Sequence, residues 1–212
     1  MTHIDYTLYL VTDRSVMSAK SLEQAVEQAI QGGCTVVQLR EKYASSREIF
    51  ETAQRVKQIT DSYHIPLIIN DRTDICLAVN AAGIHIGQQD LPAKIVRSMV
   101  GPDKIIGVSA ATLSEAIQAE QDGADYLGVG AMFATSTKTN TRPVTIERLT
   151  QIKQAVQIPV VAIGGIQSSN VTTLTDTGID GIAVVSAILA QENITHAAEQ
   201  LKACFTGAGH EV

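Results

Sequence analysis

The sequence lacks what several common functions require. It has 16 lysines and arginines against 22 acidic residues, a net charge of −6. Non-specific nucleic-acid binding needs a basic face, so no nucleic-acid partner is expected. An acidic chain that takes a phosphorylated ligand has to place its few cations locally or use a metal. The three cysteines, Cys34, Cys76 and Cys204, are far apart and no C-x-x-C pair exists. That excludes a disulfide framework and a structural zinc site, and it suits reduced thiols in the cytoplasm. Met1-Thr2-His3-Ile4-Asp5 offers no basic start before an apolar stretch, so no secretory signal is expected. The longest apolar runs, such as Ile158 to Ile163, are too short to cross a bilayer, and no membrane partner is expected. There is no Walker order, no G-x-G-x-x-G after the first apolar run and no G-x-S-x-G elbow. Linkers, charge runs, low-complexity tracts and histidine-rich clusters are absent as well.

What is present is one sentence repeated. An apolar run ends in polar residues, a helix follows, and a glycine often ends the helix. The runs are Tyr6 to Val11, Thr35 to Leu39, Pro66 to Ile69, Gly83 to Ile86, Lys104 to Val108, Asp125 to Val129, Ile158 to Ile163 and Gly181 to Val185. Between them, Ser21-x-x-Gln24, Ser45-x-x-Glu48 and Thr112-x-x-Glu115 read as capping boxes. Leu22, Ala25, Val26, Ala29 and Ile30 show helical spacing, as do Ile49, Ala53, Val56 and Ile59. Short helices are expected from about Thr73 to Asn80 and from about Ser169 to Gly178, another after Asp90-Leu91-Pro92, and a last one from Ile194 to Phe205. The strands are continuous rather than alternating apolar runs, as expected when both faces are buried in a parallel sheet. Eight such units in 212 residues predict an α/β fold: a single-domain (β/α)8 barrel over residues 1–212. A doubly wound open sheet is the alternative.

In a barrel, active sites form at the C-terminal ends of the strands. The polar residues collect there: Gln38, Arg40 and Lys42; Asn70 and Asp71; His85, Gln88 and Asp90; Ser109; Gly164-Gly165; Val185-Ser186. Tyr126 to Val129 leads into Gly130 and the run Thr135-Ser136-Thr137-Lys138, where hydroxyls, glycine backbone and an ammonium suit a phosphate. Each residue also has a plainer reading. Gln38 can be a satisfied layer residue; Arg40 and Lys42 can pair with Glu41 or Asp71. Asp71 can be a turn residue, and Asp90 an N-cap ahead of Leu91-Pro92. His85 reads as a core histidine, and Ser109 as a helix-start hydroxyl. Two carboxylates beside an asparagine also fit Mg²⁺, which is oxygen-ligated and usually held by one or two carboxylates plus substrate phosphates.

Val37-Gln38-Leu39-Arg40-Glu41-Lys42, Asn70-Asp71-Arg72, His85-Ile86-Gly87-Gln88-Gln89-Asp90-Leu91-Pro92, Gly107-Val108-Ser109 and Thr135-Ser136-Thr137-Lys138 together resemble the thiamine phosphate synthase family. Ile163-Gly164-Gly165-Ile166 and Val184-Val185-Ser186 extend the likeness, from Tyr9-Leu10-Val11-Thr12-Asp13 to the last strand. The resemblance implies a transferase that joins hydroxymethylpyrimidine diphosphate to thiazole phosphate, releasing thiamine phosphate and pyrophosphate. By position, Gln38, Leu39, Arg40, Glu41, Lys42, Asn70, Ser109 and Lys138 would bind the pyrimidine diphosphate. Arg40, Lys42, Ser109 and Lys138 would act in catalysis, and Asp71 and Asp90 would hold Mg²⁺. Thr135, Ser136, Thr137, Gly165, Val185 and Ser186 would bind the thiazole phosphate. The expected partners are these small molecules, with a homo-oligomer possible. In one place the chain departs from the family. Relatives follow the lysine with Asp-Ala; here Thr139-Asn140-Thr141-Arg142 follows, with the acid missing and an arginine present.

The chemistry fits the residues. Diphosphate leaves readily once its charge is neutralised, and an aminopyrimidine can delocalise the positive charge left on its methylene. A dissociative path follows, needing positioning and charge rather than a nucleophile. A thiazole tautomerase-like isomerase would not need Lys42, Asp71, Asp90 and Lys138. Another phosphate-binding barrel isomerase or epimerase would want a clear acid/base pair. A non-catalytic sensor of a thiamine intermediate would have no use for the metal carboxylates.

Overall fold

A computed structural model describes residues 4–135 and 142–207. Eight parallel strands close on one another in sequence order. They are β1 (Leu8–Val11), β2 (Val36–Leu39), β3 (Leu67–Asn70), β4 (Gly83–Ile86), β5 (Ile105–Ala110), β6 (Tyr126–Val129), β7 (Val160–Ile163) and β8 (Gly181–Val184). Closure is made by β8 against β1, with Leu8 opposite Ile182 and Leu10 opposite Val184. This is the (β/α)8 barrel that the repeated strand–helix pattern predicts; the open sheet is excluded by the β1–β8 pairing.

The helices are α1 (Leu22–Gln31), α2 (Ser46–Ser62), α3 (Thr73–Ala78), α4 (Ala93–Val100), α5 (Leu113–Gln121), α6 (Ile146–Ala155), α7 (Ser186–Leu189) and α8 (Ile194–Thr206). Ser45 and Glu48 form the full capping box expected of them. At Ser21 and Thr112 the hydroxyl caps the helix by accepting the N–H three residues on. Glu115 spends its carboxylate partly on the Ala111 N–H. Three elements differ from the sequence reading, the first a 3₁₀ turn at Arg14–Val16 that no spacing signalled. The helix expected from about Ser169 is a 3₁₀ helix, Val171–Thr177. The one-turn α7 was not foreseen; four residues are too few to show a helical period. The N-cap of α4 is Pro92, not Asp90, because Asp90 Oδ2 accepts the Gly87 N–H at 2.7 Å and closes the turn before it.

Side chains alternate along each strand. Leu8, Leu10, Val37, Leu39, Ile69, Ile84 and Ile86 point outward into the layer shared with the helices. Tyr9, Val11, Val36, Ile68, Tyr126, Val161 and Ala183 fill the barrel interior. The inward set continues along its strands to Gln38, Asn70, His85 and Ser109, so strand parity delivers these four polar residues to one end of the barrel.

Candidate active site

That end opens into a cavity of about 1640 Å³, lined by residues from all eight strands or the loops after them. Its contents divide into a charged rim and a neutral floor.

The rim is built at the ends of β2, β3 and β4. Arg40 Nη1 lies 3.0 Å from Asp13 Oδ2, and its backbone N–H donates to the buried Thr12 hydroxyl. Lys42 contacts Asp71 Oδ2, and Glu41 pairs instead with Arg14 at 2.5 Å. Asp71 sits at φ +61°, a left-handed conformation that aspartate tolerates better than most residues, and its N–H donates to the His85 carbonyl. That backbone turn brings the Asp71 carboxylate beside Asp90. Burial first, and then the neighbouring Asp71 charge, push the Asp90 carboxyl above its ordinary range, against the pull of the Gly87 N–H. Two carboxylates crowded together with an ammonium on one of them are an oxygen-donor site that already attracts a cation, which fits Mg²⁺. Among the described residues no group of three or more His, Cys, Asp or Glu gathers as a metal cluster. Two carboxylates still suffice for a metal that completes its shell with water and phosphate.

The floor is neutral. Gln38 Nε2 donates to Tyr9 Oη at 2.8 Å. Tyr9 Oη and Tyr126 Oη are 2.7 Å apart, and Tyr126 Oη is 2.9 Å from His85 Nδ1. His85 Nε2 is 2.9 Å from Ser109 Oγ. Two glycines make the space. A Cβ on Gly107 would lie 2.1 Å from the Tyr126 ring, and one on Gly128 would lie 2.9 Å from the His85 ring. Burial drives the Tyr9 and Tyr126 phenols well above their ordinary pKa, so both keep their protons. His85 is therefore part of the cavity wall rather than a plain core histidine. Its alternation with Gly83 on β4 and Gly87 just past it was the available sequence signal. Tyr9 and Tyr126 were missed because a tyrosine inside an apolar run reads as core.

On the opposite side, Thr135, Gly165, Val185 and Ser186 line the same cavity. Gly165 sits at φ +66°, and a Cβ there would come within 2.8 Å of Phe133 and Ala134 backbone atoms. The structure thus brings together Gln38, Arg40, Glu41, Lys42, Asn70, Asp71, Asp90, Ser109, Thr135, Gly165, Val185 and Ser186. Leu39 is set apart: its side chain is 1% exposed in the outer layer, leaving only its backbone to serve the site. Ser136, Thr137 and Lys138 lie outside the described residues. Arg142, the departure from the family pattern, grips Glu115 with both arms, at 2.7 and 2.8 Å.

The chain matches the family model described as thiamine monophosphate synthase over residues 8–188. It is 61% identical over 202 residues to the thiamine-phosphate synthase of Ruminiclostridium cellulolyticum, covering 95% of this chain and 96% of that protein. With the thiamine-phosphate synthase of Methanobrevibacter smithii it shares 50% identity over 201 residues, covering 95% and 96% of the two chains. Among solved structures, the thiamine phosphate pyrophosphorylase of Pyrococcus furiosus superposes with a TM-score of 0.89 at 38% identity, covering 97% of this chain and 98% of that one.

Proposed function

Because the chain belongs to the thiamine monophosphate synthase family, we propose that it makes thiamine phosphate by joining hydroxymethylpyrimidine diphosphate to thiazole phosphate, with release of pyrophosphate. The observation that carries this reading is the pairing of rim and floor in one cavity: cations and carboxylates on β2 to β4, neutral hydrogen-bonding groups beneath, and a hydroxyl and glycine wall opposite.

The chain's own residues do positioning and charge work. Arg40 and Lys42, now neutralised by Asp13 and Asp71, turn to the diphosphate when it arrives, since a doubly charged oxyanion is the stronger partner. Asn70 and Ser109 hold the pyrimidine end. Lys138, assigned only by its place in the family pattern, would add a further cation for the diphosphate. Mg²⁺ held by Asp71 and Asp90 would supply further charge neutralisation to the leaving group. With the diphosphate charge balanced, the carbon–oxygen bond breaks, the electron pair leaves with pyrophosphate, and the ring delocalises the cation. The thiazole nitrogen then captures the methylene carbon. Thr135, Ser136, Thr137, Gly165, Val185 and Ser186 anchor the thiazole phosphate so that its nitrogen faces that carbon.

We take the enzyme to be one domain working in the cytoplasm, a setting with which its three free cysteines are compatible. No helix among the described residues is long and apolar enough to cross a membrane. Incubation with both substrates and Mg²⁺, followed by chromatography for thiamine phosphate and pyrophosphate, tests the reading. Product appearing only when both substrates are present supports it. Isomerised thiazole without coupling, or no turnover, points to the tautomerase-like or sensor alternatives.

A further inference from the structure

Tyr9, Tyr126 and His85 connect Gln38 and Ser109, two of the residues that the family resemblance assigns to the pyrimidine diphosphate, and the direction of their hydrogen bonds can be worked out. We infer that Gln38, Tyr9, Tyr126, His85 and Ser109 form a one-way hydrogen-bond relay that makes Gln38 an acceptor and Ser109 a donor toward the cavity, so that Tyr9, Tyr126 and His85 are positioning residues for recognition of an aminopyrimidine. The inference deepens the proposed function and rests on it.

The direction follows from counting hydrogens. Tyr9 and Tyr126 are each 1% exposed, and each phenol has a single hydrogen to place. Among the described residues no buried side-chain nitrogen or oxygen is left without a partner. Tyr9 Oη already accepts from Gln38 Nε2, so its own hydrogen goes to Tyr126 Oη, 2.7 Å away. The Tyr126 hydrogen then goes to His85 Nδ1. A ring nitrogen that accepts carries no proton, so the His85 proton is on Nε2, which donates to Ser109 Oγ. The Ser109 hydroxyl, having accepted, is left to donate into the cavity that it lines. At the other end, the Gln38 amide is fixed with Nε2 on Tyr9. Its Oε1 has no partner among the described residues and is not sealed off, so it faces the cavity as an acceptor.

Reversing one bond reverses them all, because each link is both donor and acceptor to its neighbours. The relay is therefore all-or-none, and a local preference at Gln38 is transmitted to Ser109. An aminopyrimidine brings an amine donor and ring-nitrogen acceptors, so it satisfies both ends of the relay at once. An oxo analogue, with a carbonyl in place of the amine and a proton on the adjacent ring nitrogen, exchanges donor for acceptor along that edge.

The first test reads the wild-type protein directly. Side-chain ¹⁵N–¹H NMR distinguishes the two neutral histidine tautomers, and His85→Gln identifies the His85 signals among the five histidines. The expected result is a single Nε2–H tautomer at neutral pH. An Nδ1–H tautomer, or exchange between the two, overturns the inference whatever the activity. The second test is kinetic. Tyr126→Phe and Tyr9→Phe keep the rings and remove one hydroxyl each. Each should raise KM for the pyrimidine diphosphate about tenfold, leave KM for thiazole phosphate unchanged, and narrow the preference for amino over oxo substrate. Folded variants with wild-type KM values for both substrates also overturn it. If the wild type makes no thiamine phosphate, the proposed function fails, and the NMR result still decides whether the relay exists.

Discussion

Rim and floor share one cavity but are built on opposite principles. The rim pairs Arg40 with Asp13 and Lys42 with Asp71, and crowds the Asp71 and Asp90 carboxylates together, all with at least partial exposure. The more exposed of its ion pairs, Lys42 with Asp71, contributes little to stability. The floor is neutral, with Tyr9 and Tyr126 buried, and linked end to end. On the proposed function, the rim serves charge that arrives with substrate, whereas the hydrogen bonds of the floor are already formed without one. Substitutions in the rim should cost activity and spare stability; substitutions in the floor should cost both.

The largest effect expected is on activity at the rim. Asp71→Asn should lower kcat about 10²–10³-fold or more, the scale on which fixed electrostatic groups act. Its folding stability should be unchanged or slightly higher in metal-free buffer. The sign follows from Asp90. Burial and the Asp71 charge raise its pKa in the fold, so ionised Asp90 costs stability once the pH is above the ordinary carboxylate range, and removing the Asp71 charge relieves part of that cost. Mg²⁺ should raise the melting temperature of the wild type and not of the variant, by mass action on a site only the former retains. Equal Mg²⁺ stabilisation of both proteins would remove Asp71 from the proposed metal site and blur the comparison.

The converse holds at the floor. A Cβ on Gly107 would lie 2.1–2.3 Å from the Tyr126 ring and hydroxyl, and that ring is buried at 1% exposure. Gly107→Ala should destabilise by about 2–3 kcal/mol or more. Gly87 is the rim control. A Cβ there meets only Asp90 Oδ2, at 3.2 Å, the end of a side chain that can swing. Gly87→Ala should cost under about 1 kcal/mol. Urea denaturation midpoints measure both, and equal losses would mean that rim and floor are equally rigid.

This contrast also explains what could be read from the sequence. The rim was legible because its chemistry is written in charged residues at strand ends: Arg40, Lys42, Asp71 and Asp90 all line the cavity where the strand–helix pattern put them. The barrel was legible for a similar reason, since eight apolar runs of uniform character admit few topologies. The partners within the rim were not. Arg40 takes Asp13, and Glu41 takes Arg14, because strand stagger sets β1 beside β2, a relation invisible in local spacing. The floor was half hidden. Gln38 and Ser109 stood out as polar, but Tyr9 and Tyr126 are more than a hundred residues apart and join only when β1 and β6 face each other across the closed barrel. Glu115 and Arg142 were separately visible, and their pairing required α5 to be laid beside the strand-end loop that follows β6.

A moderate effect is expected on the wall opposite the rim. Thr135→Ala removes one neutral hydroxyl, a loss of roughly 0.5–1.5 kcal/mol. KM for thiazole phosphate should rise by up to about tenfold, with KM for the pyrimidine diphosphate and the melting temperature unchanged. A rise in the pyrimidine KM instead would move Thr135 to the rim side of the cavity.

The smallest effect should come from the pair of Arg142 with Glu115. Arg142 donates to both oxygens of Glu115, and the Ala111 N–H donates to one of them. Burial alone would raise the Glu115 pKa, but these hydrogen bonds outweigh it and hold the carboxyl below its ordinary range. A carboxyl depressed in the fold contributes stability above its unfolded pKa and loses it as the pH falls through its folded value. Glu115→Gln should therefore be less stable than wild type near neutral pH, and the difference should vanish in acid. The size should stay under about 1 kcal/mol, since the Arg142 side chain is more than half exposed at 56% and solvent screens the pair. The main chain does not depend on the pair: the Arg142 carbonyl accepts from the Ala131 N–H at 3.0 Å, and the Val144 N–H donates to Ala131 at 2.9 Å. With the backbone fastened independently, kcat should stay within about twofold of wild type. Thermal melts at neutral and acid pH, run beside steady-state rates, read both quantities. A large loss of kcat with little loss of stability would give Glu115 and Arg142 the signature of the rim, and the charged part of the site would then extend past β4 to the far side of the cavity.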